Sequence, residues 1–118
     1  MIFKGLVFGV ALLHLYFLIL EMFFWTKPLG LKVFGQSLDT AKASQVLAAN
    51  QGLYNGFLAA GLLWSLLHPV AETALQLQVF FLSCVVVAGI YGAYSVSKKI
   101  LWVQAMPAVV GLVFIFLN

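Results

Sequence analysis

Two residues in the first apolar stretch of the chain can do chemistry: His14, which can hold or pass a proton, and Glu21, which can ionise. They lie seven positions apart, so on a helix they point within roughly 20° of each other and sit about 10 Å apart along the axis. Leu18 and Trp25 continue the same face. An ionisable group in hydrocarbon is costly, so such groups turn toward the protein interior or a wet cavity and find partners there. Glu21 reads either as an interfacial acid answered by Lys27 or lipid headgroups, or as a buried functional carboxylate. His14 reads either as an interhelical hydrogen-bonding residue or as a binder of a ligand or proton.

A second polar cluster follows at Asn50-Gln51-Gly52-Leu53-Tyr54-Asn55-Gly56. Asn50 and Tyr54 share one helical face at i, i+4, and Gln51 and Asn55 share the next. Gly52, Gly56 and Ala60 repeat every fourth position, a spacing that lets another helix backbone come close. Further along, Tyr91 and Ser95 share a face, and Gln104 precedes Pro107, which removes an in-helix hydrogen bond and predicts a kink.

These residues need elements to carry them. The chain has 118 residues, of which 64% are hydrophobic and 8% charged, against about 25% charged in a soluble domain. Four apolar segments, 5–25, 46–67, 75–97 and 100–117, are each close to the roughly 20 residues that cross a bilayer. The predicted fold is therefore all-α, an integral membrane four-helix bundle forming a single domain over residues 1–118. The N-terminal run lacks a small-residue cleavage site and is expected to be a retained transmembrane helix rather than a signal peptide. In the long connection 26–45, Leu29 to Phe34 is an apolar stretch suited to the interface, and Ser37 or Asp39 is a helix N-cap, so the second helix is expected to start near Asp39, before the membrane. Proline at His68-Pro69 breaks the second connection.

All six basic residues are lysines, and five of them (Lys27, Lys32, Lys42, Lys98 and Lys99) fall in the first and third connections, against Lys4 alone on the other side. Cytoplasmic loops collect basic residues, so loops 26–45 and 98–99 are expected to be cytoplasmic and both termini outward, in an inner (plasma) membrane. Trp25, Trp64 and Trp102 near segment ends fit an interfacial belt. In that orientation Glu21, Asn55, Tyr91 and Gln104 lie in or near the cytoplasmic half, which points to a polar cavity opening on that side. The candidate ligand-binding set is His14, Glu21, Asn50, Gln51, Tyr54, Asn55, Tyr91 and Gln104.

Several classes are disfavoured. A single cysteine, Cys84, forbids an internal disulfide. His14 and His68 lie at different depths, so no metal site is expected, and no zinc-protease, phosphate-loop or serine-nucleophile motif occurs. No basic and aromatic face suggests nucleic acid. Catalytic residues and cofactor stay unassigned.

The strings Leu47 to Leu62, His14 with Glu21-Met22-Phe23-Phe24-Trp25, Ala88-Gly89-Ile90-Tyr91-Gly92 and Gln104-Ala105-Met106-Pro107-Ala108 resemble, over almost the full length, the small bacterial membrane proteins grouped as domain of unknown function 1304. The resemblance implies four helices and supplies no catalytic residue. A fainter likeness, in Asn50 to Leu62, is to the membrane-associated proteins of eicosanoid and glutathione metabolism, four-helix chains that form trimers. Those rely on arginines for glutathione, and this chain has none.

Three functions follow as expectations. The first is binding, with or without chemical transformation, of a lipophilic small molecule between the first and second segments, with Glu21, Asn50, Tyr54 and Asn55 as anchors. If a reaction occurs there, Glu21 or Tyr54 handles protons. The second is a structural or assembly partner in the membrane. The third is a small transporter subunit with Glu21 and His14 as proton carriers, which needs at least a dimer. The lipid bilayer and a homo-oligomer are the expected partners.

Overall fold

The computed structural model describes residues 2–117, with side chains described from Lys4 to Leu117. Its regular structure is all helical. The helices are α1 (Ile2–Phe23), α2 (Pro28–Phe34), α3 (Leu38–Ala43), α4 (Gln45–Leu67), α5 (Ala71–Ser95) and α6 (Met106–Leu117), the last preceded by a π-helical turn at Leu101–Ala105. The described residues group into two compact units. One takes Leu13–Phe57, and the other takes the residues up to Leu12 together with those from Leu58 onward. Both α1 and α4 contribute a segment to each unit.

In the unit Leu13–Phe57, the connection after α1 is folded rather than open. Lys27 is extended (φ −90°, ψ 161°), as a residue before proline prefers to be, and Pro28 then sits in the first turn of α2. Gly35 closes α2 in the left-handed region (φ 63°), where a side chain would be strained. Ser37 caps α3, its hydroxyl oxygen accepting from the Thr40 N–H at 3.2 Å, but the helix opened at Leu38 ends at Ala43, so the long helix expected to start near Asp39 begins instead at Gln45, as α4. The loop is stapled at both ends: the Trp25 indole N–H donates to Ser44 Oγ at 3.1 Å, and its ring packs on Phe34 with centroids 4.9 Å apart. Gly30 is buried with no room for a side chain, since a Cβ there would lie 2.0 Å from the Phe24 carbonyl oxygen.

In the other unit, α5 opens directly after the His68-Pro69 turn, where His68 Nδ1 accepts from the Val70 N–H at 3.1 Å. That is four residues earlier than the sequence reading put the segment, because the polar first turn Ala71-Glu72-Thr73 is helical without being apolar. The helix buries Gln78, Leu82, Val85 and Gly89 along one face at i, i+4, i+7 and i+11. Leu82 and Val85 join Val7, Val10, Ala11, Leu62, Ala108 and Ile115 in an aliphatic core. Gly89 lies against the π turn, where a Cβ would come within 2.9 Å of the Cβ, N and Cα of Ala105. The expected disturbance at Pro107 falls in the turn before it. The Met106 N–H reaches back five residues to the Leu101 carbonyl, and Pro107 has no N–H to continue an ordinary ladder.

Among the described residues, two helical stretches, Lys4–Phe23 and Ala71–Ser95, are long and apolar enough to cross a membrane, and Leu101–Leu117 is a shorter apolar run. Helix α4 falls outside that class, because its first half carries Asn50, Gln51 and Asn55.

Candidate functional site

Glu21 is the most deeply placed acid that the sequence singled out. It lies on the last full turn of α1 and is 2% exposed. Both of its oxygens accept hydrogen bonds from α4: Oε1 from the Asn55 amide Nδ2 at 2.5 Å, and Oε2 from the Gln51 amide Nε2 at 2.6 Å. Gln51 and Asn55 stand one turn apart, so the two amides reach the two carboxylate oxygens as a pair of prongs. Hydrogen bonds accepted by an ionised carboxylate are of the stronger, charge-assisted kind.

The approach that permits this clamp comes from the glycines. A Cβ on Gly52 would stand 2.8 Å from Met22 Cγ, 3.0 Å from Glu21 Cβ and 3.3 Å from the Leu18 carbonyl oxygen, and one on Gly56 would stand 2.6 Å from Leu18 Cδ1. The four-residue glycine spacing therefore serves α1 of the same chain. Without that close approach, side chains as short as asparagine and glutamate could not bridge the two backbones.

The clamp is sealed on one side only. Asn55 is 8% exposed, whereas Gln51 is an exposed residue whose bond to Glu21 is only partly buried. The expected convergence of four side chains from α4 is therefore halved. Asn50 is exposed and donates to the Val46 carbonyl of its own helix at 3.0 Å. Tyr54 is 60% exposed, with its ring 6.0 Å from that of Phe57. His14 is fully buried two turns before Glu21 and packs edge-on against Phe17 at 5.6 Å. Tyr91, on α5, is exposed and Gln104, in the π turn, is half-buried, and both belong to the other unit. The Lys27 pairing considered for Glu21 is not formed, since its polar partners among the described residues are the two amides.

Two buried polar residues escaped the sequence reading. The Ser65 hydroxyl donates to the Leu62 carbonyl at 2.5 Å, an answer internal to α4. Gln78 is 3% exposed, and its Oε1 has no hydrogen-bond partner. The signal for Gln78 was its register with Leu82, Val85 and Gly89, which separates it from the exposed Gln76 two residues earlier. Among the described residues no three His, Cys, Asp or Glu side chains gather as a metal site would need.

With regular structure that is all helical among the described residues and a buried acid held by two amides, the chain has the class features of a small α-helical protein built around a buried carboxylate. It belongs to the family described as "Protein of unknown function (DUF1304)", whose model matches residues 8–116. It is also similar to the uncharacterized protein YpaA of Lactococcus lactis subsp. lactis (strain IL1403), with 29% identity over 109 residues covering 91% of this chain and 90% of that one. No solved structure matches it.

Proposed function

We propose that this is an integral membrane protein that crosses the bilayer four times and binds a lipophilic small molecule at the Glu21 clamp. The spans are α1, α4, α5 and the run from the π turn through α6, with both termini outward and segments 26–45 and 98–99 cytoplasmic. An inverted partition supports the membrane reading. His14, Glu21, Asn55, Ser65 and Gln78 are buried, while Phe8, Phe57, Trp64, Phe80, Val87 and Phe116 are exposed. Water favours the opposite arrangement, and lipid tolerates this one. The outward apolar residues of α4 extend the reading to a helix that composition alone would leave out.

One observation carries the binding reading: a buried carboxylate whose second amide partner, Gln51, stays open to the surroundings. Polar groups converging beside an apolar surface are what orient a lipophilic ligand. The test is mass spectrometry of molecules that extract with the protein, for wild type and for Glu21→Gln. A lipophile retained by wild type and lost from the variant supports the reading, and one carried equally by both removes Glu21 from binding.

A structural reading has its own support, because both Glu21 oxygens already hold partners and Gly52 leaves little space beside them. On that reading the clamp only braces α1 against α4. A wild-type melting temperature that rises with an added lipophile, and a Glu21→Gln melting temperature that does not, would argue against it.

A further inference from the structure

We infer that the ligand of the Glu21 clamp is a lipophilic cation, such as an organic ammonium ion carrying apolar groups. This rests on the reading that the clamp binds a lipophile and names the charge that lipophile must carry.

The first argument is donor arithmetic. Each oxygen of Glu21 receives one amide N–H, at 2.5 Å and 2.6 Å. A neutral acid would place its hydroxyl against one of those donors, whereas an ionised carboxylate accepts at both oxygens. The second is the missing counter-charge. Gln51 and Asn55 are neutral, and His14, about 10 Å away along the helix axis, is too far to pair. A buried charge answered only by dipoles is costly, and a cation brought to it is correspondingly stabilised. The third is capacity: a carboxylate offers about four acceptor positions, of which the amides take two.

The fourth argument is the approach: Gln51, which holds one oxygen of Glu21, is an exposed residue, and the apolar surroundings of the helix select a greasy carrier for the charge.

The test uses two probes of one shape and opposite charge, tetraphenylphosphonium and tetraphenylborate. Each is titrated into the full chain in phosphatidylcholine nanodiscs, with binding to empty discs subtracted. Wild type should prefer the phosphonium by about tenfold or more. Glu21→Gln should abolish that preference, and Glu21→Asp, which keeps the charge, should retain part of it. The wild-type comparison stands even if a Glu21 variant fails to fold. Equal binding of the two ions, or preference for the borate, overturns the cation assignment while leaving a lipophile site. Binding of neither also overturns it, and a neutral lipophile retained by wild type in the extraction experiment would then show that the broader reading survives.

Discussion

In the unit Leu13–Phe57, α1 and α4 meet through an acid and two amides, whereas in the other unit segments of the same two helices share an aliphatic core with α5 and α6. The two regions treat buried polarity differently. Glu21 is answered at both oxygens, while Gln78, almost as deep, keeps an acceptor with no partner. An unanswered buried polar atom costs about 1–3 kcal/mol, and a hydrogen bond to a charged group stabilises by about 1.5–3 kcal/mol. The first region thus answers its buried carboxylate with hydrogen bonds, and the second leaves a buried acceptor unanswered.

Both regions also rely on a glycine where two helical segments come close, Gly52 in the first and Gly89 in the second, and this gives the sharpest way to separate them. A Cβ at Gly89 would strike the backbone N and Cα of Ala105, which cannot move aside, while one at Gly52 would first meet Met22 Cγ, the middle of a flexible side chain. Gly89→Ala should therefore lower the unfolding free energy by about 3 kcal/mol and Gly52→Ala by only about 1 kcal/mol, read from denaturation in detergent by circular dichroism. Equal losses would mean that the clamp region is as unyielding as the π turn.

Asn55→Leu strips a donor from Glu21 and should cost about 2 kcal/mol in the same assay, more than Gln51→Leu, whose acceptor edge is open to other donors. If the two losses were equal, the asymmetry of the clamp would have no energetic meaning. In the aliphatic region the sign reverses. Gln78→Met keeps the length of the side chain and removes the orphaned acceptor, so it should stabilise by about 1 kcal/mol and raise the melting temperature. A loss there would point to a role for the Gln78 amide beyond packing. The smallest effect belongs to Asn50→Ala, which gives up only a bond to its own helix at an exposed position and should stay within about 0.5 kcal/mol of wild type.

Much of the clamp was legible. The i, i+4 pairing of Gln51 with Asn55, the inward turn of Glu21 and the close approach over Gly52 and Gly56 all followed from residue types and helical spacing. Asn50 and Tyr54 were grouped with them because a polar residue in an apolar run reads as buried whichever way it points. The missed signal was angular. On a helix Gly52 lies about 100° from Gln51 and about 60° from Asn55, but about 160° from both Tyr54 and Asn50. A glycine face marks where the neighbouring helix lies, so the stripe beside it was the one able to reach Glu21. The folding of the connection after α1 into two short helices was less legible, because Leu29 to Phe34 is too short a run for helical periodicity to stand out.

Residue order alone determined that this chain is helical and which side chains would be costly to leave unanswered, since these depend on local backbone chemistry and on transfer energies that each residue carries with it. Only the tertiary structure decided that Gln51 and Asn55, rather than Asn50 and Tyr54, grip Glu21, and that Gln78 Oε1 goes without a partner. Those outcomes depend on the rotation and depth of one helix against another, and many side chains set these together.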